Sequence, residues 1–328
     1  MIEVLATGAL NTVQDLGRHE CLRWGVGTAG AMDDLALSAG NCLLGNESNA
    51  AGIEVQVFPF KIKFLADCHF ALTGADCDAQ LDMRDILPWF SHFAKAGQTL
   101  NIRLPRLGNH RTSRAYLCLA GGLDVPRVLN SRSTQMRGSF GGHQGRPLRA
   151  GDVLATLQHH DHVCTSQGIL PPEISMPLTQ DGCRAVRVLP AAEYLHYSET
   201  SQAQLWHCEW KITPQSDRYG FRLAGDALQL KAPLEMRSHG IVPGVIQVPP
   251  DGQPIVQMRD AQPTGGYPKV GTIIQADLWR FAQLPIGSRV RFIETTWNDA
   301  LEAQLQNQHW LNEIKRQARL LSDVRGTA

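Results

Sequence analysis

The sequence predicts a mainly β protein (β-rich with a few helices), its short strands closed into a barrel. Two patterns carry that expectation. Apolar residues recur at every second position: Ile53, Val55 and Val57 alternate with Glu54 and Gln56, Ile62 and Phe64 with Lys61 and Lys63, and Leu100, Ile102 and Leu104 follow the same rule. A period of two places successive side chains on opposite faces of a sheet, so each run reads as a strand with one buried face. Glycine and proline interrupt the runs at close intervals, which fits a barrel of short strands. Segments with helical spacing are too few for a doubly wound α/β fold.

In chain order, residues 2–6 form an apolar strand, and 12–18 a polar turn whose Gln14, Asp15 and Arg18 either pin the turn or serve a site. Gly25, Gly27, Gly30 and Ala31 match G-x-G-x-x-G-A ahead of a helix over 33–44. That pattern binds dinucleotides when it follows a buried apolar strand. Residues 17–24 are mostly polar, so the dinucleotide reading is set aside, and Asp33 and Asp34 are expected to cap the helix. Further strands fall around Phe70 and Leu72 and over 116–119.

A long irregular segment opens at Gly121 and Gly122 and carries Ser131, Arg132, Ser133, Thr134, Arg137 and Arg146 among more glycines. It is either an anion cradle or a surface loop whose arginines cover neighbouring strands; its length favours the cradle. Residues 158–182 are aperiodic and proline-bearing, which sets an N-terminal lobe over 1–165, a linker over 166–182 and a C-terminal lobe over 183–328. His159, His160, Asp161, His162 and Cys164 lie in that stretch. Adjacent side chains of an extended chain point in alternating directions and no second ligand pair is spaced for zinc, so no metal site is expected.

The second half reads as strands over 184–189, 245–248, 254–258 and 290–293, with a helix within 193–210. A terminal helix covers 296–321, with Leu301, Leu305, Ile314 and Leu321 as an apolar stripe and Asp299 in its first turn. Trp89 and Gly97 precede Leu100 and Ile102 at the spacing with which Trp279 and Gly287 precede Val290 and Phe292, consistent with two similarly built lobes.

The 328 residues are 43% hydrophobic and 19% charged, enough for a sizeable core. Acidic and basic residues balance at 31 each, which gives no electrostatic case for nucleic acid or an anionic membrane. The eight cysteines contain no C-x-x-C pair, against a disulfide framework or a zinc ribbon. Met1-Ile2-Glu3-Val4 lacks the features of a signal peptide. No apolar run approaches the ~20 residues of a membrane span, so a soluble cytoplasmic protein is expected.

The densest chemistry lies between Arg237 and Gly271. Two strands meet at the turn Pro249-Pro250-Asp251-Gly252, and the second runs into Arg259, Asp260, Gln262, Thr264, Tyr267 and Lys269 around Gly265 and Gly266. That assembly of a carboxylate, a carboxamide, hydroxyls and cations beside adjacent glycines exceeds what a turn requires. Together with Thr12-Val13-Gln14-Asp15-Leu16-Gly17-Arg18 it resembles the allophanate hydrolase subunit 2 family, a biotin-dependent carboxyltransferase-like family. The family includes the carboxyltransferase part of urea carboxylase and, nearer to this sequence, a component of 5-oxoprolinase.

The resemblance implies two cyclophilin-like β-barrel lobes with a cleft between them and a C-terminal helix. It also implies ATP-driven opening of 5-oxo-L-proline to L-glutamate with separate subunits A and B, Mg accompanying ATP. A lactam is a poor electrophile, so such a site needs donors around a developing oxyanion and cations for phosphate. Arg132, Ser133 and Thr134 are candidates for holding phosphate or carboxylate, and Arg218 for pairing the substrate carboxylate. Gln247, Gln262, Thr264 and Tyr267 are candidates for the amide, with Lys269 a further cation. His239 is a candidate for moving a proton, and Asp260 is either a base or an orienter of Arg259. His239 stands where many relatives carry Glu, and Pro263 where Thr is frequent. There is no G-x-x-x-x-G-K-[ST] loop for ATP and no Met-Lys pair to carry biotin. Two rivals remain: a carboxyltransferase component acting on biotin carried by another protein, and a binding protein antagonising a kinase inhibitor.

Overall fold

The structure is a computed structural model and describes residues 1–105, 112–157 and 166–326. About 30% of the chain is strand and 20% helix. It divides into two compact units: Met1–Arg18, Ala29–Ser175 and Gln308–Ala328 form one, and His19–Thr28 with Met176–Asn307 form the other.

The first unit is built from two sheets. One runs in the order Val153–Leu154, Ile2–Ala6, Phe60–Phe64, Thr99–Ile102, Gln80–Leu81, Arg84–Asp85; the other runs Thr12–Gln14, Gly52–Val55, Ala115–Leu119, Cys68–Gly74, Phe90–Ala94. The period-two pattern does what it predicts: Phe60, Ile62 and Phe64 are buried while Lys61 and Lys63 are exposed. These residues join Ile2, Val4, Ile53, Val55, Phe70, Leu72, Leu100, Ile102 and Leu117 in one core.

A second cluster covers the other side of the five-stranded sheet. Ala71, Tyr116 and Cys118 pack there against the helix Asp34–Leu43 and Ile314. Asp33 caps that helix, its Oδ1 accepting from the Ala36 amide at 2.8 Å. The residues before it form a single 3-10 turn, Leu22–Trp24, in place of the strand that a dinucleotide fingerprint needs.

The second unit contains a closed barrel. Cys183–Pro190, Lys269–Ile273, Val245–Gln247, Ile255–Gln257, Gly220–Ala224, Trp210–Ile212 and Arg289–Glu294 pair in that order. The ring shuts where Arg289–Glu294 returns parallel to Cys183–Pro190, Val186 lying opposite Phe292. Closure leaves no free edge inside the ring. Val186, Val188, Trp210, Ile212, Phe221, Ile246, Val256, Val270 and Phe292 on these strands, and Phe281 on the helix Leu278–Ala282, are all essentially inaccessible. A separate hairpin pairs His239–Gly240 with Thr264–Gly265, His239 opposite Gly265.

The terminal helix spans Trp297–Gly326. Thr296 and Asp299 cap each other reciprocally: Asp299 Oδ2 accepts from the Thr296 amide at 3.2 Å and Thr296 Oγ1 accepts from the Asp299 amide at 3.2 Å. Its expected stripe is corrected by the structure. Of its members Ile314 is buried as expected while Leu301, Leu305 and Leu321 are exposed, and among the described residues Ala303 and Asn307 are the helix's other buried positions. Small Ala303 lets the helix lie close to Ile274 and Ala276, and Asn307 Nδ2 donates to the Ala276 carbonyl at 2.9 Å. The larger leucines are thereby rotated outward. No described helix is long and apolar enough to cross a membrane.

Candidate functional site

In the first unit, Asp15 organises the loop that carries Arg132, Ser133 and Thr134. Its carboxylate accepts from Ser131 Oγ at 2.7 Å, Ser133 Oγ at 2.5 Å, the Arg132 amide at 2.6 Å and the Gly17 amide at 2.8 Å. Arg18, fully buried, donates to the Ser133 carbonyl and lies over the Phe140 ring. Thr134 Oγ1 donates to the Val13 carbonyl at 2.9 Å. Gly142 has φ +53°, and a Cβ there would overlap Thr134 Oγ1. Ser133 and Thr134 are buried and occupied internally, whereas Arg132 is half-buried, with Nε donating to the Val125 carbonyl at 3.0 Å. The loop is tied by internal hydrogen bonds, and of its three sequence candidates only Arg132 is partly exposed.

In the second unit, Arg218 and Asp260 meet each other. Arg218 Nε and Nη2 donate to Asp260 Oδ2 and Oδ1 at 2.9 and 3.0 Å. The Asp260 amide donates to the Arg218 carbonyl at 2.8 Å. Both side chains are buried, Asp260 completely, so the planar fork expected to hold a substrate carboxylate holds a protein carboxylate instead. Gln247 is also engaged, donating from Nε2 to the Tyr267 carbonyl at 3.2 Å and accepting at Oε1 from Gln257 at 3.2 Å. A Cβ at Gly265 would sit 2.6 Å from Gln247 Nε2, so the absence of a side chain there lets the loop close over that carboxamide.

A contact group of Lys269, His239 and Glu193 forms beside it. Lys269 Nζ lies 2.6 Å from His239 Nε2 and 3.4 Å from Glu193 Oε2. His239 Nδ1 lies 3.0 Å from the Arg237 carbonyl. A carbonyl only accepts, so Nδ1 carries the hydrogen and the Nε2 lone pair faces the ammonium. Lys269 is thus held between the Glu193 carboxylate and the His239 imidazole. Glu193 went unrecognised in the sequence because it lies far from Lys269 along the chain and joins it only through the barrel.

Gln262, Thr264 and Tyr267 on the same loop are exposed. Tyr267 and Pro268 also border a cavity of about 530 Å3, lined further by Tyr197, Leu228, Pro233, Val248, Pro249 and Asp251. Among the described residues no three His, Cys, Asp or Glu converge as metal ligands. The tract His159, His160, Asp161, His162 and Cys164 lies outside the described residues.

The chain carries a closed barrel with a polar glycine-spaced loop at its side and a second β unit built on paired sheets. Residues 24–294 match the family described as carboxyltransferase domain, subdomain A and B, and the chain belongs to that family. It is similar to the 5-oxoprolinase C subunit of Haemophilus influenzae, 41% identical over 317 residues, which are 96% of this chain and 98% of that protein. It is 38% identical to the protein of the same name from Escherichia coli, over 96% of this chain and 97% of that one. The crystal structure of Kluyveromyces lactis urea carboxylase superposes with a TM-score of 0.85 at 26% identity, covering 95% of this chain and 29% of that one.

Proposed function

We propose that this protein is the C subunit of a cytoplasmic 5-oxoprolinase, working with subunits A and B to open 5-oxo-L-proline to L-glutamate at the expense of ATP. The observation that carries this is the near end-to-end correspondence, at 41% identity, with a protein of that name. ATP, with Mg, supplies the phosphoryl group that activates the lactam carbonyl. The residues of this chain bind and orient the amide.

Thr264, Gln262 and Tyr267 present hydroxyl and carboxamide groups from one exposed loop to the N–C=O unit. Lys269, held beside the Glu193 carboxylate and the His239 imidazole, stabilises negative charge as it develops on oxygen.

The test is reconstitution: subunits A and B with 5-oxoproline and Mg-ATP, with and without this chain, following glutamate and ADP together. Formation of both only when this chain is present is the expected result. Equal yields without it would refute the assignment. The TM-score of 0.85 to urea carboxylase favours one second reading, transfer of a carboxyl group from biotin on a separate carrier to an amide substrate. Replacing subunits A and B by a biotin carboxylase and its carrier, with urea as acceptor, tests that reading.

A further inference from the structure

The cavity beside the loop of Thr264 and Tyr267 has a chemistry that the lactam does not account for. At about 530 Å3 it falls within the ~300–1,000 Å3 typical of small-molecule sites and has room for far more than one five-membered ring. Its lining includes Tyr267, 47% exposed, and the accessible prolines Pro233, Pro249 and Pro250, rigid flat groups that suit a flat ligand. Asp251 is the one charged side chain among the described residues that line it; no lysine, arginine or histidine does.

That lining excludes phosphate or carboxylate from the interior, where an anion would meet a carboxylate and no cation. It selects an uncharged planar ring bearing N–H donors for the Asp251 carboxylate, which when ionised can only accept. Cations stand next to the lining instead: Lys231, exposed, lies between the lining residues Leu230 and Pro233, and Lys269 follows Pro268.

We propose that this cavity receives the nucleobase of a nucleotide, with its phosphates outside, toward Lys231 and Lys269. In naming adenine of ATP as the base, the proposal rests on the 5-oxoprolinase reading above. Aromatic and proline faces hold the ring, and Asp251 accepts from the exocyclic amine.

The experiment is calorimetric titration of the purified full-length chain with adenosine, which lacks phosphates, and in a second arm with biocytin, whose ureido ring is also flat and N–H-bearing. Saturable adenosine binding is expected. It should weaken about tenfold in Tyr267→Ala, stay within about twofold in Tyr267→Phe, which keeps the ring, and vanish in Ala227→Trp, which fills the cavity from an exposed lining position. Absence of adenosine binding, binding of biocytin alone, or affinity unchanged in both Tyr267→Ala and Ala227→Trp would overturn the proposal. In the reconstituted enzyme, Ala227→Trp should raise the KM for ATP. Normal glutamate formation with an unchanged KM removes the nucleobase site and leaves the 5-oxoprolinase assignment standing. Adenosine binding without glutamate formation does the reverse.

Discussion

Replacing Asp260 by Asn separates a strut from a catalytic base. The substitution keeps the shape of the side chain but removes the negative charge from a fork whose two bonds, at 2.9 and 3.0 Å, are buried. Asn offers one accepting oxygen and turns an NH2 toward a guanidinium that also only donates. Breaking a buried ion pair by removing one partner costs about 3–5 kcal/mol, because the remaining charge stays out of water. Retention of one bond places Asp260→Asn near the lower end, about 3 kcal/mol.

Urea unfolding followed by tryptophan fluorescence measures this directly, since Trp210 and Trp279 are buried in the same unit. The double replacement Arg218→Met with Asp260→Leu removes both charges and should recover most of the loss. Glutamate formation should return with the fold. Asp260→Asn within about 0.5 kcal/mol of the parent, or a stable double variant without turnover, would refute the strut and restore Asp260 as a chemical participant.

Further outcomes follow from other parts of the molecule. The Arg146 guanidinium, bonded at 2.7 and 2.8 Å, holds Asp152 down at about 2 from an ordinary 3.8. Its stabilisation is therefore complete above about pH 4 and lost as pH falls toward 2; Asp152→Asn should cost about 1–2 kcal/mol at neutral pH and flatten that acid loss in urea titrations. Gly142→Ala combines a left-handed φ of +53° with overlap on Thr134 and should lower stability by about 2–4 kcal/mol, read as a fall in Tm. Burial pushes the Cys42 thiol up to about 11 and raises Cys77 and Cys118 as well. Iodoacetamide at pH 8 should leave all three unlabelled in the native protein, and mass spectrometry should find them alkylated after unfolding.

The sheet elements were legible because their pattern is local. Lys61 and Lys63 between Phe60, Ile62 and Phe64 declare a face whatever the rest of the chain does, and Asp33 declares a helix start. The terminal helix was legible as a helix but not in its orientation. Leucine spacing suggests one stripe, yet which face is buried depends on where Ile274 and Ala276 lie, and small Ala303 with bonding Asn307 fits that surface better than Leu301 or Leu305. The candidate site divided along the same line. The loop of Gln262, Thr264 and Tyr267 could be read as chemically rich, but Arg218 and Asp260, distant in sequence, do not reveal that each satisfies the other.

The same logic gives the His239 departure its physical meaning. A glutamate at that position would set a second carboxylate against Lys269, which Glu193 already contacts at 3.4 Å, and the ammonium would be held on two sides by groups that lock its proton in place. With imidazole at 2.6 Å the second neighbour is neutral and basic, and its other nitrogen is committed to the Arg237 carbonyl at 3.0 Å. The ammonium then keeps a single carboxylate partner and stays available to a developing oxyanion. His239→Glu should therefore strengthen the hold on Lys269 while weakening its pull on the developing oxyanion: a fall in kcat with little change in KM for 5-oxoproline. An unchanged kcat in that variant would show that the second neighbour of Lys269 does not matter to turnover.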